Sequence, residues 1–165
     1  MSIPTVEPLY VTSLEEVLWG GLLVAVTMTL HGFGMLAVLR VNHAVKQWAA
    51  SKTGLLAGLL PVILASWMIM FVHLVEVAVW ALFFIWKGAF QNSSIAYYFS
   101  LNEYTTVGSN FNLPLQWRLL EGMIATAGLL TFAWSTGILV TLAQEFQEQR
   151  MEQFRSRPPQ PPAKP

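Results

Sequence analysis

Between positions 103 and 111 the chain reads Glu103-Tyr104-Thr105-Thr106-Val107-Gly108-Ser109-Asn110-Phe111, set between two long apolar runs. A dehydrated cation needs closely spaced oxygens in place of its water, and successive backbone carbonyls with a threonine hydroxyl supply them. Thr105 and Thr106 offer hydroxyls at one end of the string, Val107 packs its side chain outward while its carbonyl stays in line, and Gly108 permits the positive φ that an alternating carbonyl ladder uses. Thr105, Thr106, Val107, Gly108, Ser109 and Asn110 are therefore the candidate ion pathway, with Asn102, Glu103 and Tyr104 as its support. Glu103 closes a short helix whose C-terminus disfavours a carboxylate, so it needs a donor such as Asn102, Ser109 or a backbone amide.

A second group of chemically capable residues lies inside the apolar runs. His31 sits in the middle of the first, and His73 and Glu76, at i and i+3, share one face of the second. Ionisable side chains at that depth are costly and face protein or water, often as a pair. Three readings of His31, His73 and Glu76 compete: a structural pairing that locks the first helix onto the second, a proton-sensing cluster of imidazoles that titrate near neutral pH, and a metal site of two His and one Glu. No fourth ligand is evident, so no metal is expected, and the structural pairing is the preferred reading. Glu121, beside Arg118, reads as an interfacial anion. Gly128 and Gly137 read as a hinge or as close helix contacts.

These residues must be held by membrane-spanning helices. The chain is 165 residues, 55% hydrophobic and 11% charged, with a mean hydropathy of +0.52, values that exclude disorder and point to a membrane protein. The apolar runs predict spans over about 17–39, 55–86 and 119–143, each at least the ~20 residues that cross ~30 Å of hydrocarbon. Residues 40–53 read as an interfacial connector with Trp48 as an anchor. Ser93 or Ser94 is the expected N-cap of a short helix from Ile95 to about Glu103. That helix is too short to span, and the loop after it, to about residue 111, lies at membrane depth, where it must be surrounded by protein or water. The third helix is expected to run on into water through Arg150, and the Pro-rich end reads as disordered.

Basic residues set the orientation. Arg40, Lys46 and Lys52 mark the first connector, and Arg150, Arg155, Arg157 and Lys164 follow the last span, whereas residues 1–16 hold no Lys or Arg. The positive-inside rule puts the N-terminus outside and the C-terminus in the cytoplasm, in a multi-pass protein of the plasma (inner) membrane. Formal charge is zero, and no basic face suggests nucleic acid. There is no Cys, hence no disulfide or thiolate site. Ser135 and Thr136 lie mid-helix with no base nearby in sequence, and no phosphate loop or paired carboxylates occur, so the chain reads as a non-enzyme.

The string Thr105-Thr106-Val107-Gly108 resembles the selectivity loop of tetrameric cation channels, and the likeness to small bacterial potassium-channel-like membrane proteins covers about residues 17–145. Tyr97-Tyr98-Phe99-Ser100 before the string, Pro114 to Glu121 after it, His73-Leu74-Val75-Glu76-Val77 and Trp134-Ser135-Thr136 carry the rest of the resemblance. It implies an all-α membrane protein with three transmembrane helices, a re-entrant pore helix and a filter-like loop (about 95–111). It implies a homotetramer in the lipid bilayer, with K+ or Na+ in the pore and no other cofactor. The domains would be an extracytoplasmic segment (1–16), a channel-like domain (17–146) and a cytoplasmic tail (147–165). The family's Tyr-Gly-Asp is replaced here by Ser109-Asn110-Phe111, and the chain has no Asp at all. The resemblance then implies weak selectivity among monovalent cations. The alternative is a non-conducting channel-fold subunit or assembly factor, partnered by other subunits of a larger membrane complex.

Overall fold

The structure is a computed structural model that describes residues 10–49 and 55–155. The expected Pro-rich tail beyond Arg155 and the start of the N-terminal segment lie outside the described residues. The elements, in chain order, are α1 (Leu14–Ala49), α2 (Leu55–Trp86), α3 (Ser93–Tyr104), a short 3-10 turn (Leu115–Trp117) and α4 (Leu119–Arg155). Three helical stretches, Leu14–Ala49, Gly58–Trp86 and Leu115–Glu152, are long and apolar enough to cross a membrane. The chain is thus an all-helical, multi-pass membrane protein. The 36 residues of α1 rise about 54 Å at ~1.5 Å each, well beyond the ~30 Å of hydrocarbon.

α1 starts on a reciprocal cap. Ser13 Oγ accepts the Glu16 N–H at 3.1 Å, and Glu16 Oε2 accepts the Ser13 N–H at 3.0 Å, which satisfies two end donors at once. Glu16 is fully buried and also accepts the Leu119 N–H at 3.1 Å, so one carboxylate serves the amino ends of both α1 and α4. α2 ends on a Schellman motif: Gly88 stands at φ +69°, its N–H reaches Ile85 O, and the Ala89 N–H reaches Phe84 O, each at 2.9 Å.

Among the described residues the contacts form two units, one of residues 10–33 with Phe71–Phe132, the other of residues 34–49 and 55–70 with residues 133–155. In the first unit α1 buries Glu16, Gly20, Leu23, Thr27 and His31, a stripe at intervals of three or four. Three of these five carry polar side chains, while Leu18, Leu22 and Val26 on other faces are exposed. A helix in water would place its polar residues the other way round; lipid outside and hydrogen-bonding partners inside account for the inversion. Thr27 Oγ1 accepts Trp80 Nε1–H at 2.9 Å and donates to Leu23 O at 2.8 Å, tying α1 to α2. Trp80, Phe84, Phe99, Leu120 and Ile124 form the apolar core around that bond. The Lys87 ammonium lies 4.3 Å, 4.8 Å and 5.1 Å from the ring centres of Trp19, Trp86 and Trp117, so three tryptophans hold one cation.

In the second unit α1 stays helical past Arg40, through Ala49, where an interfacial connector was expected to begin at residue 40. Two contacts support the extra turns. His43 and Gln47 meet at 2.9 Å one turn apart, and Lys46 forms an ion pair with Glu145 of α4. α4 likewise runs on through Arg150 as expected, to Arg155.

Gly128 is a close-packing position. A Cβ there would lie 1.9 Å from the Tyr104 carbonyl oxygen, whereas one at Gly122 of the same helix meets nothing within 4 Å. Gly128→Ala must push the end of α3 away and is expected to cost about 1–3 kcal/mol. Gly122→Ala should be neutral or slightly stabilising, by up to ~1 kcal/mol. Thermal unfolding of both variants in detergent checks the difference, and equal midpoints would refute the contact.

Candidate functional site

α3 is twelve residues long, about 18 Å at ~1.5 Å per residue, and does not cross a bilayer. Its cap is Asn92 rather than the expected Ser93 or Ser94. The Asn92 side-chain oxygen accepts the N–H groups of Ser94 at 2.8 Å and Ile95 at 3.3 Å, so the helix starts at Ser93. It extends to Tyr104, one residue beyond the expected end.

At that end the chain turns sharply. Thr105 closes the helix at φ −85°, ψ 2°, and Thr106 takes φ +62°, the one positive-φ residue other than glycine among those described. The Thr106 N–H donates to Glu103 O at 3.0 Å, and the Val107 N–H to Asn102 O at 2.9 Å, the Schellman pattern already seen after α2. Gly108 returns to positive φ at +80°. Left-handed residues therefore alternate with Val107 between them, and Val107 itself is 75% exposed. The Thr105 hydroxyl does not point into the loop: it donates back to Leu101 O at 2.8 Å. Beyond Gly108, Ser109 Oγ accepts the Phe111 N–H at 3.1 Å, a compact polar turn. The Phe111 ring sits edge-on to Tyr98 at 6.2 Å.

Asn102 Nδ2 donates to Tyr98 O at 2.8 Å, and the Asn102 carbonyl receives both Val107 and Gly108 N–H groups. Burial and the nearby Glu121 carboxylate hold Glu103 above the ordinary carboxylate range, against the Ser109 N–H that favours its charge. Glu121 accepts the Leu113 N–H at 2.8 Å and lies 3.7 Å from Arg118; it braces the chain between loop and α4.

Behind the loop lies the polar cluster. His31 of α1 meets Glu76 of α2 at 2.9 Å between Nδ1 and Oε1, with both side chains fully buried. Tyr104, the last residue of α3, donates its hydroxyl proton to Glu76 Oε2 at 2.5 Å, a distance of charge-assisted bonds. That proton being committed, His73 Nδ1–H donates to the Tyr104 oxygen at 2.8 Å. His73 also stands 3.4 Å from Glu76 Oε2. Thr131 of α4 approaches the same Tyr104 oxygen at 2.6 Å. The expected link of His31 to Glu76 is present. Tyr104, read as loop support, turns out to join loop and cluster, and Thr131 was not anticipated. Thr131 has no local signal; only its 27-residue separation from Tyr104, closed by Gly128, brings it in. Glu16 carried a readable one, the Ser13-x-x-Glu16 box.

Searched against family models, curated proteins and solved structures, the chain finds no match. What the site can do is argued from its own geometry.

Glu76→Leu removes acceptors from His31 and Tyr104 together and strands at least one buried donor, at a cost of roughly 1–3 kcal/mol. Glu76→Gln keeps an oxygen for His31, and Tyr104 can turn its proton toward Thr131, so the loss should be much smaller. Thermal unfolding in detergent separates them. A Gln variant as unstable as the Leu variant would show that the charge, not the acceptor, holds the helices.

Proposed function

We propose that several copies of this chain, four by the likeness of its filter-like string, surround an axis on which residues 105–110 form a pathway for monovalent cations of weak selectivity. The observation that carries the reading is the alternation of left-handed backbone at Thr106 and Gly108 around an exposed Val107. Such alternation turns successive carbonyls toward a common side, the arrangement that replaces a cation's hydration shell. One loop meets an ion from one side only, so the pathway needs symmetric copies. α3, acting as a re-entrant pore helix, aims a C-terminal end worth roughly half a negative charge at the loop. K+ or Na+ is then the transported ion.

The second reading, a non-conducting subunit or assembly factor that keeps the channel architecture, is favoured by one feature. The Ser109 hydroxyl accepts the Phe111 N–H and draws the outer half of the loop into a compact turn, at the position where the resembled channels carry a tyrosine. Under the first reading the sites made by Thr106, Val107 and Gly108 persist while the outermost are lost, so sodium and potassium permeate at comparable rates.

Purified protein in liposomes with opposed Na+ and K+ gradients is the test. Comparable fluxes of both ions are expected, and Ser109→Tyr with Asn110→Gly should shift preference toward potassium, in part because Phe111 remains. No flux from assembled native protein or from the double variant would establish the non-conducting reading. Strong potassium preference in the native protein would overturn weak selectivity.

The proposed orientation, C-terminus in the cytoplasm of the inner membrane, rests on the distribution of Lys and Arg. In this cysteine-free chain, a cysteine at Gln91 should react with an impermeant thiol reagent on intact cells, and one at Gln149 only after lysis. The reverse pattern would invert the topology.

A further inference from the structure

We infer that His31, His73, Glu76 and Tyr104 form a binding site for one divalent transition-metal ion, of the N2O2 type that zinc accepts. The two imidazoles and the carboxylate are too few ligands in the sequence alone. The fold supplies the fourth: the Tyr104 hydroxyl oxygen, 2.5 Å from Glu76 Oε2 and 2.8 Å from His73 Nδ1. The ligand atoms of His31, His73 and Glu76 all lie within 4.8 Å of one another. A tetrahedral zinc with bonds of ~2.0 Å has ligand edges of about 3.3 Å. Of the edges here, 2.9 Å from His31 to Glu76 Oε1, 3.4 Å from His73 to Glu76 Oε2 and 2.8 Å from His73 to Tyr104 lie within about half an ångström of that value, while the 2.5 Å between Tyr104 and Glu76 Oε2 must open by about 0.8 Å as the proton they share leaves.

Charge argues for the ion as well. Glu76 is fully buried in an apolar span, and the cationic partners it meets are imidazoles, which are neutral unless protonated. With both imidazoles neutral the cluster holds one uncompensated negative charge, which a low-dielectric interior disfavours. A dication bound with loss of the Tyr104 proton leaves the site neutral: Glu76 and the phenolate contribute two negative charges, the imidazoles none. Each ligand comes from a position that packing already holds. His31 and His73 rings lie 5.3 Å apart between centres, Phe132 covers His73 at 4.6 Å, and Thr131 meets the Tyr104 oxygen at 2.6 Å, as partners behind metal ligands commonly do. The ion would fix the residue from which the 105–110 loop springs. The inference does not depend on that loop conducting.

The experiment uses the full chain in detergent, stripped with a chelator and then given Zn2+ or Co2+. About one zinc per chain should remain after gel filtration, the unfolding midpoint should rise, and protons should be released on binding. Co2+ should give the absorption bands of a four-coordinate site in the native protein, a readout that requires no variant to fold. His31→Gln and His73→Gln should each weaken zinc binding more than tenfold, and Tyr104→Phe about tenfold. His43→Gln, outside the cluster, should change nothing. Less than a tenth of a zinc per chain with helix content intact, no four-coordinate cobalt spectrum, or binding lost with His43 alone would each overturn the site and leave an imidazole–carboxylate network holding a proton. Liposome flux is measured separately, so failure of the metal site and failure of conduction are told apart.

Discussion

A carboxylate without exposure, Glu76, is the constraint around which the membrane-depth half of this protein is arranged. An ionised group in an apolar span is tolerated only when its lone pairs are all engaged. Glu76 meets that condition through three side chains: His31 of α1, His73 one turn earlier on its own helix α2, and Tyr104 of α3. Thr131 of α4 completes the set through the Tyr104 oxygen. Apolar packing is a weak source of specificity between helices in lipid, because the tails outside are as apolar as leucine. Directional bonds to one buried charge then fix which faces of the helices meet. Close approach follows from the same requirement: the Tyr104 backbone must reach α4, and only a glycine at position 128 leaves room.

Glu16 repeats the device at the amino ends. It has no exposure, closes its own helix through Ser13 and accepts the first amide of α4. Two helix N-termini carry partial positive charge toward it, so the anion is compensated by backbone dipoles rather than by a base. Nearby, Lys87 is compensated by aromatic faces and by Glu15 at 3.4 Å. Glu16 and Lys87 thus each have their own local answer.

The sequence made the long elements legible because their cause is local. Runs of twenty or more apolar residues can satisfy their backbone in lipid only as helices, and α2 and the start of α4 fall where those runs do. Ends set by side-chain contacts were less legible. α1 outlasts its apolar run because Lys46 finds Glu145 ninety-nine positions later, and α3 begins early because Asn92, not a serine, caps it. In the site, the shared face of His73 and Glu76 followed from spacing. Tyr104 as the hub did not, since its partners lie 28 and 27 residues away. Periodicity reports which face a residue occupies and says nothing of which distant element that face will meet.

The two Schellman turns offer an internal control on the loop itself. After α2 the left-handed position is filled by Gly88 at φ +69°, after α3 by Thr106 at φ +62°. A β-branched residue there costs about 1–2 kcal/mol that glycine does not, and the two turns share the same pair of backbone bonds, the second adding only the Gly108 N–H to the Asn102 carbonyl. The cost therefore falls on a residue that the turn as such does not require. Strain of this kind persists where surrounding structure over-determines it, and here Asn102 and Tyr104 do so, one by its carbonyl and the other through Glu76. What Thr106 adds and a glycine lacks is a hydroxyl on an exposed, left-handed residue beside an outward-facing valine. That is a reason for the loop's sequence that belongs to its surface, not to its folding.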